Sequence, residues 1–164
     1  MFLAGKKANA LGHIVLLDPV GAGASRLRTD TANRLMREVR FDAVRGNISE
    51  IKTLCTGSGT TKGVDADAVD AVTEANLDDG VALVKAFAKQ TGCIIAVTGA
   101  IDLVSDGERC WCIRNGRAEM SRITGTGCQL SALMTAFLVA NPDRKLDAAA
   151  AAVCMMGLAG EIGW

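Results

Sequence analysis

The chain has 164 residues, enough to bury a core, with 18 Lys plus Arg against 18 Asp plus Glu and almost half of its residues apolar. That even balance gives no basic excess for nucleic acid or an anionic membrane, and no acidic block suggests a tail. Four Phe, two Trp and no Tyr argue against an aromatic platform for single-stranded bases, whereas the abundant Ala, Gly and Val suit helices packed tightly on a sheet.

In chain order, residues 2–11 read as the end of a helix closed by Gly12. His13 to Asp18 reads as a strand whose Ile14-Val15-Leu16-Leu17 run is apolar on both faces, which predicts a place in the middle of a parallel sheet. The small-residue loop Asp18-Pro19-Val20-Gly21-Ala22-Gly23-Ala24-Ser25 follows. A helix is expected over 30–39, begun near Thr29, then a short strand from Phe41 to Val44. Arg45-Gly46-Asn47-Ile48-Ser49-Glu50 leads into another helix, with Asn47 or Ser49 near its cap. Residues 57–67 read as loop, 68–90 as a helix stopped by Gly92, and Cys93 to Thr98 as a third buried strand. Residues 102–120 read as hairpins turning at Asp106-Gly107 and Asn115-Gly116. Helices to about 140 and from about 146 complete the pattern. Alternating strands and helices predict an α/β fold, and no repeat, low-complexity segment or linker divides it, so 1–164 reads as one domain.

Six cysteines, Cys55, Cys93, Cys110, Cys112, Cys128 and Cys154, form no CxxC pair and no zinc spacing. Cys110 and Cys112 point to one face of a strand and are badly placed to bridge. Scattered thiols of this kind predict a reduced, cytoplasmic protein. The N-terminus lacks the apolar core of a signal peptide, and the longest apolar run, 148–160, is too short to span a bilayer.

In an α/β fold ligands gather at the carboxyl ends of the strands. Asp18, Arg45, Thr98 and the loop Thr124-Gly125-Thr126-Gly127-Cys128 each follow or end a predicted strand, so they are expected to converge. Gly125-Thr126-Gly127 ahead of a helix offers free amides and the positive end of a dipole, which suits a phosphate; the alternative is a glycine-rich turn before a buried helix, with Cys128 as a small core residue. Gly21-Ala22-Gly23-Ala24-Ser25-Arg26 only begins like a dinucleotide fingerprint, because Arg26 replaces its third glycine. Gly57 to Gly63 resembles a phosphate-binding loop loosely and reads as surface. On their own, Asn47 and Glu50 read as a helix cap and a first-turn carboxylate on the dipole, Arg45 as a surface ion pair and Thr98 as a strand-end hydroxyl. His13, the single histidine, has no partner in sequence and reads as structural.

The segments Leu17-Asp18-Pro19-Val20-Gly21-Ala22-Gly23-Ala24, Arg45-Gly46-Asn47-Ile48-Ser49-Glu50-Ile51, Gly63-Val64-Asp65, Val97-Thr98-Gly99 with Asp102, Ser105-Asp106-Gly107, Gly125-Thr126-Gly127-Cys128 and Ala159-Gly160-Glu161 occur in this order. Together they resemble the hydroxyethylthiazole kinase family of the ribokinase-like superfamily, over nearly the whole chain. The resemblance implies a three-layer ribokinase-like fold with a mainly parallel central sheet flanked by helices. It implies transfer of phosphate from ATP, with Mg²⁺, to the hydroxyethyl group of 4-methyl-5-(2-hydroxyethyl)thiazole, a salvage step toward thiamine. It assigns the anion hole to Gly125, Thr126 and Gly127, substrate contact to Gly125, ATP contacts to Arg45 and Thr98, and the metal to Asp18 and Glu50. Cys128 stands where most ribokinase-like enzymes carry an aspartate base, and is expected to orient the hydroxyl and assist its deprotonation. The family is trimeric with sites between subunits, which implies a homotrimer. Against the family the chain looks truncated at both ends, beginning inside the helix that follows the N-terminal third and ending in mid-helix. The competing expectations are therefore a non-catalytic partial domain with residual nucleotide binding, poorly soluble alone, or another ribokinase-like kinase such as one for hydroxymethylpyrimidine.

Overall fold

The computed structural model describes residues 1–56, 61–62, 65–66 and 71–163. Helix α1 (Phe2–Ala10) leads to strand β1 (Leu16–Leu17), helix α2 (Arg26–Glu38), strand β2 (Ala43–Asn47) and helix α3 (Ile48–Thr56). Two short antiparallel strands, β3 (Thr61–Lys62) and β4 (Asp65–Ala66), precede helix α4 (Leu77–Thr91). Strands β5 (Ile94–Thr98), β6 (Asp102–Ser105) and β7 (Cys110–Ile113) and helices α5 (Thr126–Ala140) and α6 (Lys145–Ile162) follow. The main sheet runs β1-β2-β5-β6-β7. It is mixed: β1, β2 and β5 pair parallel, β6 pairs antiparallel with β5, and β7 antiparallel with β6.

Side chains alternate across a strand, so each strand feeds two cores. On one face Val44, Ile95, Val97 and Leu103 pack with Leu35, Ile51, Val84 and Phe87 of α2, α3 and α4. On the other, Ala43, Ile94, Ala96 and Val104 pack with Leu130, Met134 and Leu138 of α5 and Leu146, Ala149 and Val153 of α6. The alanines on this second face and along α6 let helix axes come close to the sheet. The α/β expectation of helices on both faces therefore holds, and β5, buried on both sides, is the central strand.

Several elements differ from the sequence reading, each for a physical reason. Strand β1 is shorter than 13–18 and, among the described residues, lies at the sheet edge rather than its middle. Ahead of it the Val15 amide donates to Asp42 Oδ2 (2.9 Å) while the Val15 carbonyl accepts from the Asp42 amide (2.8 Å). Strand β2 runs on through Arg45, Gly46 and Asn47, because five residues pair in register with β5; a segment that looks like loop is thereby made rigid. Helix α2 starts earlier than Thr29, since Ser25 Oγ accepts from the Arg28 amide. Helix α4 starts at Leu77 rather than 68, behind a 3₁₀ turn whose Thr73 and Asn76 cap one another. Of the two expected hairpin turns, Asp106-Gly107 joins β6 to β7. At Asn115-Gly116 the chain instead docks on α6, with Asn115 Nδ2 donating to the Cys154 carbonyl (2.9 Å) and the Gly116 amide to Glu161 Oε1 (2.7 Å). The glycine-rich 57–63 loop and the 63–65 segment lie largely outside the described residues. The six cysteines are unpaired with one another.

Helix α3 begins directly at the end of β2, and a reciprocal pair of bonds makes that possible. Asn47 Oδ1 accepts from the Glu50 amide and Glu50 Oε2 accepts from the Asn47 amide, each at 2.8 Å. The capping role expected for Asn47 is thus real. Asn47→Ala should lower the unfolding free energy by about 0.5–2 kcal/mol, read from urea melts; a change of only a few tenths would show that the cap contributes nothing.

Candidate active site

The pleat of three parallel strands aims the site. Leu16, Ala43, Ile94 and Ala96 face α5 and α6; two-residue periodicity therefore sends Asp18, Arg45 and Thr98 to that same face, at the carboxyl ends of β1, β2 and β5. There they meet. Arg45 Nη1 lies 3.4 Å from Asp18 Oδ2, and Arg45 Nη2 donates to Thr98 Oγ1 at 2.7 Å. Only 12% of the Arg45 side chain and 15% of that of Asp18 are exposed, so the pair sits largely out of water. The planar guanidinium suits this place because its fork reaches two partners from one fixed position.

The amino end of α5 closes over this cluster. Its first bond runs from the Gln129 amide to the Gly125 carbonyl at 2.9 Å, which leaves the amides of Thr126, Gly127 and Cys128 ahead of the ladder. Gly125 turns the chain into the helix with φ of 95°, a conformation that side chains disfavour. At Gly127 the constraint is contact: a Cβ would stand 2.7 Å from Arg45 Nη1. Cys128 and Gly125 are exposed at the same turn, while Thr126 is half-buried.

Glu50 stands behind the cluster, 4% exposed. Its Oε1 accepts from the Gly21 amide at 2.8 Å, so it ties the Asp18-to-Ser25 loop to the cap of α3. Burial pushes its carboxyl above the usual range, the two amides oppose that, and the nearby charge of Asp18 adds to it. The glycines of the 21–26 segment therefore serve a turn that delivers an amide to Glu50.

Two residues given no role by the sequence reading belong here. Ser131 Oγ lies 2.7 Å from Asp18 Oδ2; its position four after Gly127 on an α-helix was the available signal, since i and i+4 share a face. Asp102, the first residue of β6, accepts from the Gly99 amide at 2.8 Å and so fixes the turn after Thr98.

Two carboxylates here could hold a divalent cation: Asp18, whose Oδ1 is buried without a partner among the described residues, and Glu50 beside it; magnesium is commonly held by one or two carboxylates plus phosphate oxygens and water.

A family model, the hydroxyethylthiazole kinase family, matches residues 1–163. The chain belongs to this family. It is 52% identical to a hydroxyethylthiazole kinase of Clostridium acetobutylicum, with all of this chain and 60% of that protein aligned. It is 46% identical to that of Clostridium beijerinckii, covering 99% of this chain and 58% of the relative. The chain thus spans about 60% of the length of these curated relatives. Among solved structures, the hydroxyethylthiazole kinase protein from Pyrococcus horikoshii OT3 superposes with a TM-score of 0.82 at 33% identity, over 98% of this chain and 56% of that one. The pyridoxal kinase of Bacillus subtilis, solved as an ADP complex, gives a TM-score of 0.65 at 21% identity and shares the fold.

Asp102 supplies a pH test. Burial raises its carboxyl to about 6 from 3.8, against the Gly99 amide and the charge of Arg45, which favour the ionised form. A folded-state value above the unfolded one means that the protonated acid favours the fold. That contribution is complete below about pH 4 and is lost as the pH rises through about 6. Asp102→Asn, whose amide oxygen can keep the Gly99 bond, should therefore gain stability over the parent between about pH 4 and pH 7, by on the order of 1–3 kcal/mol. Denaturant melts across that range check it; a difference independent of pH would remove the buried charge as the cause.

Proposed function

We propose that this chain carries the phosphoryl-transfer machinery of a kinase that phosphorylates the hydroxyethyl group of 4-methyl-5-(2-hydroxyethyl)thiazole with ATP. The observation that supports it most directly is the meeting of Asp18, Arg45 and Thr98 under the free amides of α5 at the carboxyl end of the parallel strands. In phosphoryl transfer the protein mainly positions reactants and offsets charge that develops on the phosphoryl oxygens. Of the anion hole expected at Gly125, Thr126 and Gly127, the amides of Thr126 and Gly127 stand ahead of the α5 ladder together with that of Cys128, while Gly125 supplies the turn and the first accepting carbonyl; Arg45, steadied by Thr98, adds a full positive charge beside them. The substrate oxygen attacks the γ-phosphorus, the bond to the bridging oxygen breaks, and ADP leaves. Cys128 stands at the mouth of the same turn, where it can orient that hydroxyl and assist loss of its proton, with Gly125 against the thiazole.

Magnesium, when bound, would neutralise phosphate charge, held by Asp18 Oδ1 with Glu50 as the second carboxylate. Both Glu50 oxygens already accept an amide, so what it has to offer is its remaining lone pairs and its charge. The balanced surface charge and free thiols favour a cytoplasmic enzyme on small molecules, and no helix of the described residues is long and apolar enough to cross a membrane. A homotrimer and a single kinase domain, of which 1–164 is a part, complete the reading.

Gly127→Val should cut phosphoryl transfer at least ~100-fold, because its side chain would drive Arg45 off Asp18 and crowd the phosphate. Turnover of the thiazole alcohol by a folded variant, close to that of the parent, would remove this loop from the mechanism. Asp18→Asn should raise the magnesium concentration needed for half-maximal rate by about tenfold or more. An unchanged magnesium titration would make Asp18 a purely structural partner of Arg45.

A further inference from the structure

Ser131 is used by none of the roles above, yet it makes a 2.7 Å contact between residues 113 apart in sequence. A second acceptor competes for its hydroxyl: the Gly127 carbonyl, one turn back on α5, at 3.2 Å. The hydroxyl has one proton, and a carboxylate oxygen at the shorter distance outcompetes a backbone carbonyl at the longer one. Ser131 therefore donates to Asp18. The choice of oxygen matters as well. Ser131 and Arg45 Nη1 both approach Oδ2, and Oδ1, buried, keeps no partner among the described residues. A carboxylate with two donors on one oxygen cannot rotate freely, so its bare oxygen is held in one direction.

We infer that Ser131 is a positioning residue for the proposed metal site: it anchors Asp18 Oδ2 to the first turns of α5 so that Oδ1 stays aimed at a divalent cation beside the anion hole. The inference rests on the reading of Asp18 as the metal carboxylate. The consequence is mechanical coupling. The helix that presents the three phosphate-facing amides is the helix that orients the metal carboxylate, so ion and phosphoryl group are registered against one rigid element. Partners that orient a metal ligand commonly contribute 10–100-fold to affinity.

The test is direct Mn²⁺ binding, followed by electron paramagnetic resonance in the presence of a non-hydrolysable ATP analogue, on the protein and its Ser131→Ala, Ser131→Thr, Asp18→Asn and Asp18→Asn/Ser131→Ala variants. Thermal melts confirm that each is folded, and Ser131→Thr keeps the hydroxyl if the alanine variant proves unstable. Ser131→Ala should weaken Mn²⁺ about tenfold, Ser131→Thr should recover most of that loss, and the double variant should bind no more weakly than Asp18→Asn alone. Parent-like binding by Ser131→Ala alongside a loss in Asp18→Asn would overturn the role of Ser131 and leave the metal reading intact. Parent-like binding by both single variants would overturn both. A loss from Ser131→Ala that recurs in full on the Asp18→Asn background would show that Ser131 does not act through Asp18, and would also overturn the inference.

Discussion

The arrangement depends on one ion pair, Asp18 with Arg45, held largely out of water at the edge where three parallel strands end. Removing two charges from solvent is costly, and a single contact at 3.4 Å is a weak return. The pair is only partly compensated: Thr98 takes one guanidinium nitrogen and Ser131 serves Asp18 Oδ2, while Asp18 Oδ1 and Arg45 Nε stay buried without a partner among the described residues. Each of these partners sits on a different element, so the charge pair also fixes β1, β2, β5 and α5 relative to one another. The close approach of Gly127 follows from it, since the guanidinium fills the space where a Cβ would lie.

Much of this was legible before the fold was known. Strand ends in an α/β pattern, read with the GTGC stretch, put Asp18, Arg45, Thr98 and Gly127 in one place, and they do meet. Hydropathy found the core strands but misjudged their extents and neighbours. Ile14 to Leu17 reads as central because it is apolar, but burial does not say which strand supplies the ladder, and β1 pairs with β2 alone among the described residues. Arg45-Gly46-Asn47 reads as loop because glycine and asparagine disfavour strands, and pairing with β5 overrides that preference. Ser131 was missed for another reason: a serine within an apolar helix carries no chemical signal until its partner, far away in sequence, is placed beside it. Asp102 carries no role in the sequence reading, and only burial reveals its raised carboxyl.

Competing explanations for Asn47 and Glu50 need not exclude each other. Capping is certain from geometry, and it is also what holds Glu50 in place. A carboxylate with one oxygen on Gly21 and the other on Asn47 cannot swing away, so its field at Asp18 is as fixed as the backbone.

That fixed field bears on which ligands the site can favour. Asp18, Glu50 and Arg45 share a poorly solvated place, two acids against one base. Burial pushes the Glu50 carboxyl upward, the Gly21 and Asn47 amides and Arg45 oppose that, and repulsion from Asp18 adds to it. A cation beside Asp18 Oδ1 would turn that repulsion into attraction and stabilise both carboxylates in their charged form. The phosphate that accompanies such an ion would meet the amides of α5 on its far side. A site with two carboxylates below and a helix amino end above is complementary to a metal–phosphate pair, and less so to either partner alone.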